Sequence, residues 1–382
     1  MRRHTSTRTI LTAALLAAAA FAATLSGCDS SSDGGGGSEA EFNAVGEWKG
    51  NYTIPGSSSN HTFSAEISQD GGRITGEISI SLIDLSGTEI TGTVEGRTLT
   101  FGDIGKVITL KGTAAEDDTA KGTYVLEYNG ETIKGNWSAT CYRIPTLEKT
   151  ISLPEGAGGT YSGLAWDGEA FWLANGQILH RVSTGGELLD THMYNMDEFP
   201  LHDFTCIAWD GESLWVTEDG IELDWALAQL SSIDPSTGSI SATIPAPPDG
   251  SSSGIAGPIG IGLAWDGSSL WCYKYIDYDA QTIYRIDRSD GSVQDSIPAP
   301  KDSDGMSVWA GGIGAVGSML CISDRECLYM IRTSDGKVMK RIIYDPLGEG
   351  EYYSSPGGVA WDGELLWVRD TGTDELYGFS LP

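Results

Sequence analysis

The sequence predicts an all-β protein: a small antiparallel up-and-down β-barrel followed by a five-bladed β-propeller. Two observations carry this. Residues 44–143 alternate apolar and polar side chains in short runs punctuated by glycine, the period-two signature of half-buried strands. Beyond residue 147 one decapeptide returns four times: GLAWDGEAFW (163–172), CIAWDGESLW (206–215), GLAWDGSSLW (262–271) and GVAWDGELLW (358–367), with a worn copy, GIGAVGSMLC, at 312–321.

In the first region strands are predicted at GEWKGNYTI, HTFSAEISQ, RITGEISISLI, TEITGTVE, RTLTF, KVITLKGTA, AKGTYVLEY and ETIKGNWSAT. Glycines 76, 92, 122 and 135 fall inside these runs, as expected where the strands of a closed barrel bend sharply. Eight strands of this length suit a small barrel at 44–143.

In the second region Trp166, Trp209, Trp265, Ala315 and Trp361 follow one another at spacings of 43, 56, 50 and 46. Periods of about 40–50 residues with several strands per unit predict a propeller. One full unit is legible at 261–297 as IGLAWD, SLWCY, TIYRID and SVQDSI, with Asp-Gly turns at 266–267 and 290–291. The last unit lacks a fourth strand, and LEKTISLP (147–154) matches the fourth-strand pattern of SATIPAP and QDSIPAP. The start of the domain is therefore expected to complete the last blade. The 236 residues of 147–382 give 47 to each of five units, whereas seven would leave only 34.

Repetition argues for structure. Asp-Gly makes a turn, and two tryptophans six residues apart offer large apolar area between neighbouring sheets. The worn copy loses both tryptophans and the aspartate together, as Ala315, Cys321 and Val316. The motif is therefore expected to pack and turn, on the end of the propeller away from its usual entrance.

The ends and the charge bound the class. Arg2, Arg3 and Arg8 precede a 16-residue apolar run at 10–25, short of the roughly 20 residues a membrane-spanning helix needs. Leu25-Ser26-Gly27-Cys28 resembles the lipobox of bacterial lipoproteins, which implies cleavage after residue 27 and a lipid on Cys28. Residues 28–43 read as a flexible Gly/Ser tether. The resemblance implies a protein of the bacterial cell envelope, anchored to the inner or outer membrane by its lipid. The chain carries a net charge of −30, and losing the three arginines of the leader makes it more acidic still. Such a surface repels phosphate backbones, which argues against nucleic acid as a partner. It would admit Ca²⁺ without locating a site, and no cofactor is otherwise implied.

Five cysteines follow Cys28, none in a CxxC pair. Cys321 and Cys327 flank ISDRE and could face each other across a hairpin as a disulfide. No HExxH occurs, and histidine is scarce, which argues against zinc.

Three further resemblances bear on function. Gly46-Glu47-Trp48 resembles the G-x-W of the lipocalin first strand and implies a tryptophan closing the barrel floor, with or without a ligand in the cup. The blade pattern resembles the SMP-30/gluconolactonase-like, YVTN/NHL-type and plant-type glutaminyl cyclase propellers. The cyclase Gln and the lactonase metal-binding Glu both fall here on Ser162, and the cyclase Glu falls on Leu173. The counterparts of Ser162 in the other blades are Thr205, Ile261, Gly311 and Gly357, so the set holds no carboxylate. Gly250-Ser251-Ser252-Ser253-Gly254 satisfies G-x-S-x-G but lies in a Pro/Ser/Gly loop, where a nucleophile elbow needs a strand-to-helix turn.

What varies between blades is the entrance end. Three residues past the second tryptophan position stand Asn175, Glu218, Lys274, Asp324 and Asp370, with Trp225 and Tyr275 in adjoining loops. Aromatic rings beside charges suit a small molecule, a glycan or a protein partner. The expectation is a monomeric, lipid-anchored, non-catalytic binding scaffold. The alternative is a propeller lactonase, hydrolase or cyclase with a diverged active site.

Overall fold

The computed structural model describes residues 42–382 except 84, 160–162, 195–203, 219–228, 248–261, 275–280, 303–304, 309, 326 and 347–355. Among the described residues every regular element is a strand. The leader, Cys28 and most of the tether lie outside them, as do Ser162, Trp225 and Tyr275.

The first eight strands are β1 (Gly46–Thr53), β2 (Asn60–Asp70), β3 (Arg73–Ile80), β4 (Leu85–Glu95), β5 (Thr98–Asp103), β6 (Ile108–Ala114), β7 (Thr119–Tyr128) and β8 (Glu131–Arg143). Each pairs with the next antiparallel, and β1 also pairs with β8, which closes an eight-stranded barrel. Alternate side chains point inward and fill it: Trp48, Tyr52, Phe63, Phe101, Tyr124 and Trp137 are all buried. Glycine makes that filling possible. A Cβ at Gly112 would meet the Trp137 ring at 2.5 Å, and one at Gly122 would run into the Lys111 carbonyl. One end is closed by Trp48, whose Nε1 donates to the Ala44 carbonyl at 2.8 Å. Beside it the buried Arg143 pairs with Asp118 and donates to the carbonyls of Asn43 and Val45. Strand β8 runs three residues past its predicted end, because Arg143 belongs to this floor.

After β9 (Thr146–Ser152) the chain forms four-stranded antiparallel units. The first holds β10 (Leu164–Trp166), β11 (Ala170–Asn175), β12 (Ile178–Ser183) and β13 (Leu188–Met193). The second holds β14 (Phe204–Trp209), β15 (Leu214–Glu218), β16 (Gln229–Ile233) and β17 (Ile240–Pro245). The third holds β18 (Gly262–Trp265), β19 (Leu270–Lys274), β20 (Thr282–Ile286) and β21 (Val293–Pro298). Next come β22 (Gly312–Val316), β23 (Met319–Ser323), β24 (Cys327–Arg332) and β25 (Val338–Ile343). The last unit is β26 (Pro356–Trp361), β27 (Leu366–Asp370) and β28 (Glu375–Ser380), completed by β9 along Glu375↔Ser152 to Ser380↔Thr146. The strand missing from the C-terminal end is thus supplied from the start of the domain.

The arrangement is propeller-like. The inner strands β10, β14, β18, β22 and β26 neighbour one another in turn, and β26 returns to β10. A separate apolar core lies between each adjacent pair of units, built from side chains of both. The second motif tryptophan of one unit packs against the inner strand of the next: Trp172 with Ile207, Trp215 with Leu263, Trp271 with Ile313 and Trp367 with Leu164.

The barrel joins this array at the fourth unit. The end of β8 pairs parallel with β25 through Arg341↔Tyr142 and Ile342↔Arg143. Arg332 reaches Glu116 at 3.3 Å, and Lys337 reaches Asp117 at 3.1 Å.

Candidate functional site

The repeated motif resolves into one hydrogen-bonded unit. In each clear copy the aspartate follows the inner strand and its Oδ1 accepts two backbone N–H groups of the turn, as Asp266 does from Ser268 and Ser269 at 2.8 Å. Its Oδ2 accepts the indole N–H of the second tryptophan at 2.7–2.9 Å, in the pairs Asp167–Trp172, Asp210–Trp215, Asp266–Trp271 and Asp362–Trp367. Burial pushes these four carboxyls up, and the hydrogen bonds outweigh it, so each lies below its ordinary pKa. The worn copy replaces both partners of this bond, leaving Val316 and Cys321 in an apolar core. The motif's work is structural.

The first tryptophans, with Ala315, line the mouth of the central channel at the motif end, where about 80 Å³ is open. Further in, the inner strands approach through Gly163, Gly262, Gly312 and Gly358, and only about 10 Å³ remains between them. That is at the limit for a single water molecule. A Cβ at Gly262 would collide with the Ile313 side chain, which is why this pinch needs glycine.

The five predicted entrance residues that the structure describes fall at the opposite end of the second strands: Asn175 ends β11, Glu218 ends β15, Lys274 ends β19, Asp370 ends β27 and Asp324 follows β23. They do not share one task. Asn175 donates its amide to the carbonyls of Gly156 at 3.2 Å and Gly158 at 2.5 Å, tying β11 to the turn at 156–158. Asp370 is fully buried; it accepts the Tyr344 hydroxyl at 2.8 Å and the N–H groups of Gly372 and Thr373. These two are corrections to the expected rim, since a turn carboxylate committed to three donors is already used. Asp324 is half-exposed and faces open space.

A second correction concerns Cys321 and Cys327. Cys321 lies opposite Met330 and packs into the core shared with the fifth unit, whereas Cys327 packs with Tyr329 into the core shared with the third. Alternation along the strands puts them on opposite faces of one sheet, so both remain thiols. Burial raises both, Cys327 to about 12.

Asp324 borders a cleft of about 1190 Å³, which runs between the outer wall of the barrel and the third and fourth units. The barrel wall presents Asn51, Thr62, Ser64, Ser79, Ser81 and Ser86, with Lys49 and Tyr142. The opposite side presents Asp302, Asp324, Arg325, Tyr329 and Arg341. Lys49 pairs with Glu47 at 3.3 Å and lies 5.0 Å from the centre of the Tyr142 ring. Burial raises the Tyr142 and Tyr329 hydroxyls above their ordinary range, so both are neutral donors at pH 7. The cleft therefore offers hydroxyls, an amide, guanidinium groups and phenol rings, with the carboxylates of Glu47, Asp302 and Asp324 among them. Its one thiol, Cys327, is held protonated and is no nucleophile. Among the described residues no group of three or more His, Cys, Asp or Glu could hold a metal ion.

Sequence reading missed this cleft because its walls come from the barrel and the four-stranded units, whose contact no local pattern records. It also missed Arg369, which is 1% exposed and donates to the carbonyls of Gly163, Ala174 and Ala157. Burial lowers its pKa to about 10, against the pull of Asp374. This guanidinium staples the last unit to the first.

No protein-family model matches the chain, and no curated protein matches it. Similar solved structures include the Neurospora crassa Pan2 WD40 domain, at 10% identity over 84% of this chain and 86% of that one, with a TM-score of 0.32. Apo AztD from Citrobacter koseri matches at 10% identity over 79% and 96%, with a TM-score of 0.29. A luciferin-regenerating enzyme matches at 15% identity over 75% and 88%, with a TM-score of 0.37. Likeness at this level carries no argument about function, and the propeller-like arrangement stands on the strand pairing itself.

Proposed function

We propose that this chain is a lipid-anchored binding protein of the bacterial cell envelope, a five-bladed propeller carrying a small barrel, which holds its ligand without catalysis. The single observation that carries the reading is the cleft between barrel and fourth blade, which is wide, polar and lined by both domains. Ligand sites concentrate at such domain interfaces. Five blades are supported by the cyclic contacts of the five inner strands and by the five cores between units. The anchor rests on Leu25-Ser26-Gly27-Cys28, and Cys28→Ala is expected to release the protein from the membrane fraction. The first-blade slots that carry chemistry in cyclases and lactonases hold Ser162 and Leu173, neither of which supplies a general base or a metal ligand.

The test has two arms. The full chain is screened by thermal shift against saccharides, peptides and lipids, then rescreened as Tyr142→Ala and Asn51→Ala. It is also assayed on lactones and N-terminal-Gln peptides with Ca²⁺ or Zn²⁺ added. A shift that these variants weaken, with no turnover, is the expected result. Metal-dependent turnover that Asp324→Ala abolishes, or a ligand shift indifferent to both cleft variants, would overturn the reading.

A further inference from the structure

Two arginines stand out at the cleft. The chain has 53 acidic residues against 23 Lys and Arg. Arg325, exposed on the turn after β23, and Arg341, half-exposed on β25, line the cleft, yet neither makes an ion pair among the described residues. Arg181, Arg288 and Arg332 each hold an aspartate, while Arg73, Arg97 and Arg285 make no ion pair among the described residues either but do not line this cleft. In a molecule this acidic, two guanidiniums left open beside one cleft mark a place for an anion brought from outside.

The facing wall says what carries that anion. Thr62 and Ser64 on β2, Ser79 on β3, Ser81 in the following turn and Ser86 at the start of β4 set a row of short hydroxyls along the outside of the barrel. Hydroxyl side chains both donate and accept, and fixing short ones costs little rotamer entropy. Tyr142 adds a ring at the floor and Asn51 an amide. Such a wall suits a ligand dense in hydroxyls and is too polar for an acyl chain. A peptide would be expected to add to an open strand edge, but β25 is paired on one side with β24 and on the other with β8.

We infer that the cleft between barrel and fourth blade binds an acidic saccharide, a sugar chain bearing carboxylates, with Arg325 and Arg341 taking the carboxylates and the barrel's hydroxyl row taking the ring hydroxyls. This rests on the reading of the cleft as the ligand site and names its ligand class. Guanidinium forks match carboxylates in two parallel hydrogen bonds, and the arginines lie across the cleft from the hydroxyl row, so one ligand meets both.

The test uses calorimetry on the full chain with three probes: trigalacturonic acid, the neutral trisaccharide galactotriose, and a glutamate-rich hexapeptide. Trigalacturonic acid is expected to bind, more weakly as salt is raised. Each of Arg325→Ala and Arg341→Ala should weaken it about tenfold or more, with galactotriose bound at least about tenfold more weakly than the acid by wild type on the same grounds. Ser81→Ala and Ser64→Ala should weaken the acid and neutral sugars alike. Arg325→Ala lies on an exposed turn, and circular dichroism checks its fold, so it decides alone if Arg341→Ala does not fold. Galactotriose binding as tightly as the acid and indifferent to both arginines would overturn the acidic class while leaving the cleft as the ligand site. Preference for the peptide would overturn the saccharide. Trigalacturonic acid binding undiminished in every one of these variants would overturn both the ligand class and the site.

Discussion

The indole Nε1 of Trp271 donates to Oδ2 of Asp266 at 2.7 Å, while Oδ1 of the same carboxylate caps the turn between β18 and β19. One aspartate thus fixes a turn and orients a tryptophan that packs against the next unit. The two residues act as a pair, which explains why the fourth unit lacks both.

Asp266→Ala is expected to cost about 1–3 kcal/mol, because it strips partners from the turn N–H groups and the buried indole N–H. Trp271→Phe removes only the indole donor and its area. In a double-mutant cycle by urea denaturation the two should couple by at least about 0.5 kcal/mol. Simple additivity would show that the hydrogen bond contributes nothing beyond shape.

The four motif aspartates also set a pH dependence. Their carboxyls lie below the ordinary value when folded, so folding favours the charged form. That stability is complete above the unfolded value of about 3.9 and is lost as pH falls through the folded values. Thermal midpoints should be level between about pH 7 and 5 as far as these groups are concerned, and fall below about pH 4. Asp362→Asn should start lower and fall less steeply.

Arg143 and Asp118 form a buried pair at the barrel floor, 4% and 3% exposed. Arg143→Met leaves a carboxylate buried without its cation and is expected to cost about 3–5 kcal/mol in denaturant unfolding. Asp118→Asn added to it should recover part of the loss, since asparagine removes the charge and tolerates the positive φ of 57° at this position. A double variant no better than the single would assign the cost to lost packing.

Cys321 and Cys327 are buried thiols on opposite faces of β23 and β24. Alkylation of the folded protein should be slow at both, and mass spectrometry after denaturation should find both alkylated without a reductant. A two-dalton deficit restored by dithiothreitol would contradict the observed register.

Much of the barrel was legible because each strand carries its own inside–outside alternation. The eight predicted runs match β1–β8 to within a few residues. The worn copy at 312–321 was also readable, because Ala315, Val316 and Cys321 keep the spacing of the residues they replace. The entrance end was legible only as a location. Asn175 and Asp370 look like free polar groups in sequence, yet nearby carbonyls and N–H groups take up their hydrogen-bonding capacity. Arg369 carries no local signal of its burial, and in the structure it is a buried staple.

The sequence by itself determined the strands, the turns and the order of the units, since period-two alternation and Asp-Gly spacing are local and repeat. It also determined that the last unit would borrow β9, because LEKTISLP carries the pattern of a fourth strand. Only the tertiary structure decided which thiols face which core, that the channel is pinched by glycines, and that the barrel docks on β25 to leave a cleft. Those outcomes depend on contacts between residues far apart in the chain. Arg341 on β25 lies opposite Tyr142 on β8, and neither residue's neighbourhood is written in its own strand.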